Sequence, residues 1–311
     1  MTTSFTRAFA ALIAIALAGC GGIGEVSHDR VPRFVQPTGP APRVALVLGS
    51  GGPRGFAHIG VLKALEDAGI KPDLIVGSSV GSMVGALYAC GIGAHDLERM
   101  AYDINVLEFF EFRMLGGKPA SGEMVQKYVN DHVRGQPIEK LATLFAAGAT
   151  RLSDRKLALF NHGDTGLAVR ASAASPGQFE PVVIGDDSYV DGDEASPVPI
   201  HAARMLGAKF VIAVDVSAYA QSTPSNAHPD WIAKDARRAK QVAAEAPEAD
   251  IIIHPDIGYY AGENEAYRRR VIAIAEQVTR ERIPAIRLAL ERAGLAAQAP
   301  IARMPSGDAS R

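Results

Sequence analysis

The chain has 311 residues, with 32 Lys and Arg against 34 Asp and Glu, a formal net charge of −2 and 21% charged residues. That balance argues against nucleic-acid binding through a broad basic field, and 48% hydrophobic residues argue against a disordered chain. The two cysteines, Cys20 and Cys90, cannot build a four-ligand zinc site or a disulfide framework, and no metal-ligating cluster stands out, so no metal or other cofactor is expected.

At the N-terminus Arg7 precedes an unbroken apolar run, Ala8 to Leu17, which ends in Ala18-Gly19-Cys20. The run is the length of a secretory signal and too short for a stable membrane span. Leu17-Ala18-Gly19-Cys20 resembles the lipobox of bacterial lipoproteins. The resemblance implies a signal peptide over 1–19, acylation of Cys20 and residence in the bacterial cell envelope, anchored by lipid at the periplasmic face of the outer membrane. Residues 20–42 hold four glycines between 21 and 39 and prolines at 32, 37, 40 and 42, without apolar periodicity, and read as a tether. A flexible linker of about 23 residues would span roughly 25 Å.

From residue 43 to 295 the pattern is a single domain of strands alternating with helices. Val44 to Leu48 is an apolar run broken by Gly49 to Gly55, and Ile59, Leu62, Leu65 and Ala68 then fall at helical spacing with Gly69 as the stop. Leu74 to Val76 begins a second strand, followed by Gly77 to Gly81 and a small-residue helix through Ala89. Further strands are expected at Leu144 to Ala149, Leu157 to Phe160, Phe210 to Val216 and Ile251 to Ile253. Helices are expected over Leu167 to Ala174, Pro199 to Leu206, Trp231 to Ala246 and Glu263 to Arg292. Apolar strands alternating with helices imply an α/β fold whose largely parallel sheet is covered on both faces. The tail, 296–311, reads as loose. Val106 to Met124, with Phe109, Phe110, Phe112, Met114 and Leu115, fits either an apolar lid or core.

Three segments carry chemistry. Gly77-Ser78-Ser79-Val80-Gly81 fits Gly-x-Ser-x-Gly between a strand and a helix, a turn that can push the Ser79 hydroxyl out above a sheet. Ser78 and Ser82 lack that glycine spacing. The Gly49 to Gly55 loop can turn successive backbone N–H groups toward one point, which suits a developing oxyanion, whereas the P-loop and dinucleotide patterns both fail there. Asp191-Gly192-Asp193 ends a short run, Ser188-Tyr189-Val190. It supplies the carboxylate that a serine nucleophile would need as base.

In that order along the chain, Ser50 to Leu62, Gly77 to Gly81, Arg170 to Pro181 and Tyr189 to Pro199 resemble the patatin-like phospholipase family, closest to its bacterial members, over about residues 43–216. The resemblance implies a three-layer α/β/α hydrolase acting on acyl-ester lipids, phospholipids or lysophospholipids, through a Ser–Asp dyad without histidine. It maps Ser79 to the nucleophile, Asp191 to the base, Gly51, Gly52, Arg54 and Gly55 to the oxyanion loop, Gly77 and Gly81 to the nucleophile turn, and Gly192 and Asp193 to the aspartate motif.

Four positions depart from the family pattern. Ser50 stands where the first loop glycine is usual, Pro53 has no N–H to donate, Asp193 replaces Gly or Ala, and Glu180 replaces proline. Pro53 and Asp193 favour an alternative, a lipid-tethered binding protein with impaired catalysis. A second alternative is an α/β-hydrolase triad that recruits His201 or His254.

Overall fold

The computed structural model describes residues 30–110 and 118–295. Strands β1 Val44–Leu48, β2 Leu74–Ser78, β3 Leu144–Arg151, β4 Leu157–Phe160, β5 Val182–Ile184, β6 Asp187–Asp191, β7 Phe210–Val214 and β8 Ile251–Ile253 form one sheet. Its order is β5-β6-β3-β2-β1-β7-β8, with β4 also on β3. β8, β7, β1, β2 and β3 are parallel, β4 and β6 run antiparallel to β3, and β5 runs antiparallel to β6.

The central strands are apolar on both faces because both are covered. Val44, Leu46 and Leu48 enter one core with Phe210, Ile212 and Val214, while Ala45 and Val47 enter the other with Val211 and Ala213. The larger core is roofed by α1 Ala57–Asp67, α2 Val80–Ala89, α3 Ala94–Asp103, α4 Glu123–His132, α5 Thr165–Ser172 and α8 Glu265–Arg292. On the opposite face α6 Ile200–Met205 contributes Ile200, Ala202 and Ala203, and Val242 of α7 Pro229–Glu245 packs beside them. This is the three-layer arrangement expected from the strand and helix pattern.

Close crossings are built on missing side chains. A Cβ on Gly60 of α1 would lie 2.1 Å from the Ile272 carbonyl oxygen of α8, so the two helices meet backbone to backbone. Gly69 ends the α1 turn with φ +71°, a left-handed stop that glycine adopts without cost.

The registers on β3 bring two strand ends together. β2 pairs with residues 144–148 and β6 with 149–151, while β4 pairs with 147–150. A residue bonded to two strands has them on opposite edges, so β4 lies opposite both β2 and β6. β2 and β6 therefore share one edge of β3, run toward each other and stop where they meet. Ser79 follows the end of β2, and Asp191 is the last residue of β6.

Part of the stretch read as a tether lies on the domain. Arg33 bridges His162, with its N–H 3.1 Å from the His162 carbonyl. The Val35 N–H donates to Asn161 Oδ1, and Asn161 Nδ2 donates back to the Val35 carbonyl, both at 2.8 Å. The Pro42 carbonyl accepts from Lys209. The extended backbone that proline favours leaves its polar groups free to pair with the loop after β4. Cys20, the 296–311 tail and, in the expected lid, Phe112, Met114 and Leu115 lie outside the described residues.

Candidate active site

Ser79 sits at φ 55°, ψ −127°, a conformation costly for any residue with a side chain. Glycines on either side make the turn possible by close approach. A Cβ at Gly77 would lie 2.4 Å from the Ser82 Cα, and one at Gly81 would lie 2.1 Å from the Leu48 carbonyl oxygen. The Ser79 N–H is held by Ser172 Oγ at 2.9 Å, and that hydroxyl donates to the Gly148 carbonyl at 2.6 Å.

The turn presents Ser79 Oγ 2.8 Å from Asp191 Oδ2, both residues buried. Asp191 is fixed on every side. Its N–H donates to the Ala174 carbonyl at 3.0 Å, its carbonyl accepts from Thr150 Oγ1 at 2.7 Å, and its Oδ1 accepts from the Asp193 N–H at 2.9 Å. Gly192 is obligatory between the two aspartates, since a Cβ there would lie 2.4 Å from the Gly148 carbonyl oxygen and 2.5 Å from Ser78 Oγ. Burial, reinforced by the neighbouring charge of Asp193, pushes the Asp191 carboxyl up to about 7.

Asp193 points away from the serine. Its Oδ1 accepts from Ser50 Oγ at 2.5 Å and lies 2.9 Å from Arg238 Nε, within ion-pair range but not aligned as a hydrogen bond. Lys234 Nζ is 3.4 Å from Oδ2. Burial alone would raise this carboxyl, but Arg238, Lys234 and Ser50 outweigh it and hold Asp193 below the usual carboxylate range. The two aspartates thus have separate states, one near neutrality and one fully ionised.

The glycine loop is tied down up to its turn. The Gly49 N–H donates to Val214, the Ser50 N–H donates to Pro197, and the Gly49 carbonyl lies 2.8 Å from His58 Nε2. A carbonyl only accepts, so Nε2 carries the proton. Burial pushes His58 down to about 4, which makes it a neutral pin for the loop. Residues 52–56 then form a 3-10 turn in which the Arg54 N–H bonds back to the Gly51 carbonyl and the Gly55 N–H is likewise engaged. This corrects the expected oxyanion set. Arg54 and Gly55 spend their N–H groups in the turn, and the Arg54 guanidinium donates to the Tyr259 carbonyl. Pro53 has none to give. The Gly51 and Gly52 N–H groups carry no hydrogen bond among the described residues.

Ser79, Asp191, Asp193, residues 50–55, Lys234 and Arg238 border one cavity of about 580 Å³. Its lining includes the apolar Met83, Leu87, Leu97, Met100, Val106 and Phe109 and the charged Arg54, Lys234, Asp235 and Arg238. Phe109 is buried against Tyr128, ring centroids 5.3 Å apart and edge-on, and of the described residues in the 106–124 segment Val106 and Phe109 line the cavity. Trp231 and Tyr260, 55% and 66% exposed, stand at the rim.

Neither histidine considered for a triad is bonded to the pair. His201 pairs with Glu248 on the surface, and His254 stacks on Tyr219 and bonds the Ser217 carbonyl. A strained alcohol beside a buried carboxylate of near-neutral pKa, in a cavity that Gly51 and Gly52 also line, has the parts needed for acyl transfer. Thr150, Lys234 and Arg238 fall in no motif of the sequence, and Ser172 stands only inside a motif block. None stands in a local pattern that marks its role.

The chain matches the patatin-like phospholipase family over residues 46–204. It is 32% identical over 200 residues to an NTE family protein of Mycobacterium tuberculosis, covering 62% of this chain and 54% of that one. It is 34% identical over 181 residues to human patatin-like phospholipase domain-containing protein 6, covering 56% of this chain and 13% of that protein. Among solved structures VipD from Legionella pneumophila superposes with a TM-score of 0.57 over 87% of this chain and 73% of VipD, at 11% identity, a likeness of fold alone. The chain thus spans about half the length of the mycobacterial relative and a much smaller share of the human one. With the family matched over half its length, the chain belongs to the patatin-like phospholipases.

Proposed function

We propose that the protein is a serine lipid acyl hydrolase that cleaves fatty acyl esters of phospholipids or lysophospholipids through an acyl-enzyme. The 2.8 Å contact between Ser79 Oγ and Asp191 Oδ2, in a cavity lined mostly by apolar side chains, carries this reading. A curated relative from Coccidioides immitis, 33% identical over 195 residues but matched over only 12% of its own length, is named lysophospholipase NTE1, which supports the substrate class.

In this reading the acyl chain lies along the apolar wall and the ester carbonyl meets Ser79. As Oγ bonds the carbonyl carbon, its proton passes to Asp191, and the carbonyl oxygen takes up negative charge facing the Gly51 and Gly52 N–H groups. Collapse expels the alcohol, which takes the proton from Asp191. Water then attacks the Ser79 ester, giving its proton to Asp191, and the fatty acid leaves as Oγ is reprotonated. The Asp191 pKa near 7 suits both directions of transfer at neutral pH.

The experiment is a panel of phospholipids and lysophospholipids incubated with wild type and Ser79→Ala, with products identified by mass. Free fatty acid from wild type alone supports the reading, together with fluorophosphonate labelling that Ser79→Ala abolishes. A folded protein whose labelling ignores Ser79 would sink it in favour of a binding role. Cys20 as the acylated anchor to the envelope belongs to the same reading.

A further inference from the structure

Arg238 is buried on α7, 188 positions from the loop it touches, and belongs to no motif. Its Nη2 donates to the Ser50 carbonyl at 3.1 Å and lies 3.0 Å from Ser50 Oγ, while its Nε faces Asp193. The Ser50–Gly51 peptide is trans, so its C=O and N–H point in opposite directions. Whatever holds the Ser50 carbonyl therefore aims the Gly51 N–H.

We propose that Arg238 is the positioning residue of the oxyanion donors: from α7 it grips the Ser50 carbonyl and hydroxyl, fixes the plane of the Ser50–Gly51 peptide and directs the Gly51 N–H at the oxygen of the carbonyl attacked by Ser79. Asp193 is the counter-ion that makes a buried guanidinium tolerable there, and its own N–H orients Asp191. Ser50, Asp193 and Arg238 are thus one device. Only a planar fork of donors reaches the carbonyl, the hydroxyl and the carboxylate together, so lysine does not replace it. Because the grip comes from α7, whose Trp231 stands at the cavity rim, the donors are set only when that helix is seated.

This inference rests on the hydrolase reading, and the test separates the two. Turnover of a soluble nitrophenyl ester is measured for wild type, Ser79→Ala, Arg238→Ala with and without millimolar guanidinium, and the double variant Arg238→Met with Asp193→Leu, which removes both buried charges. Loss of one oxyanion donor is worth on the order of 100-fold in kcat. Arg238→Ala is expected to lose about that factor in kcat with KM little changed, and added guanidinium to restore much of it where ethylammonium does not. The double variant is expected to melt no lower than wild type yet stay as slow as Arg238→Ala, since its fold is intact and its carbonyl is ungripped. Wild-type kcat in either variant, a loss confined to KM, or no guanidinium rescue of a folded Arg238→Ala protein overturns the positioning role. Full turnover by Ser79→Ala overturns the hydrolase reading and this inference with it.

Discussion

In the proposed mechanism Asp191 must be a carboxylate to accept the Ser79 proton, and burial with Asp193 beside it holds its pKa at about 7. Activity should therefore rise with pH through an apparent pKa near 7. The charged groups facing it are Asp193 on its own turn and Lys234 on α7, with the Ser79 hydroxyl against Oδ2. Asp191→Asn should lower kcat by about 1000-fold. Asp193→Asn should keep measurable turnover and move the acid limb of the kcat/KM profile to lower pH, because one cause of the elevation is gone. It should also cost about 3 kcal/mol in urea unfolding, because Arg238 stays buried without its counter-ion. Equal loss of turnover in both variants would mean that both carboxylates act as bases.

The same residue sets a pH dependence of stability, and His58 opposes it. Asp191 has a folded pKa raised from 3.8 to about 7, so its contribution is complete below pH 4 and is lost as pH rises toward 7, by about 4 kcal/mol. His58 is lowered from 6.5 to about 4, so the unfolded chain binds a proton first as pH falls below 6.5, and stability is lost down to pH 4 by about 3 kcal/mol. The two nearly cancel in wild type. Asp191→Asn removes one side, so its urea-unfolding free energy should fall between pH 7 and pH 4.5 while that of wild type stays nearly flat. A flat profile in the variant would show that His58 is not held neutral.

Among the elements, the α1–α8 crossing is exacting, because the Gly60 Cα side faces the Ile272 carbonyl with no room for a methyl group. Gly60→Ala should cost at least about 2 kcal/mol in urea unfolding, and a neutral result would mean that α8 can slide on α1. The buried strands were readable because covering on both faces leaves unbroken apolar runs. Val44–Leu48, Leu157–Phe160 and Ile251–Ile253 match their apolar runs to the residue, and the other runs match to within a few residues. α3 and α4 were not read, since each buries only two or three side chains, such as Leu97 and Ala101 or Val125 and Val129, too sparse a stripe to stand out in sequence. Ser79 and Asp191 were legible because their turns demand glycine locally. Arg238 was not, because one arginine in a polar helix gains its meaning only from the loop that it meets in space. The oxyanion loop was half legible: its glycines marked the place, but which N–H groups the 3-10 turn consumes depended on how the chain closed after Gly51.

For the molecule as a whole, the remaining question is attachment. If Cys20 carries acyl chains, feeding cells an alkyne palmitate should label wild type and leave Cys20→Ser unlabelled and in the soluble fraction. A labelled Cys20→Ser protein would remove Cys20 as the attachment point. The Arg30 carbonyl accepts from the Asp164 N–H at 2.7 Å, so ten steps lie between Cys20 and the first residue tied to the domain among the described residues. Fully extended, ten residues reach about 35 Å, less than the roughly 45 Å width of a domain this size. With Cys20 acylated, a leash shorter than the body would keep the same side of the domain near the bilayer through every turnover. Encounter with lipid would then be a two-dimensional search, so the rate on that membrane would follow the surface density of substrate and be indifferent to dilution of the surrounding water.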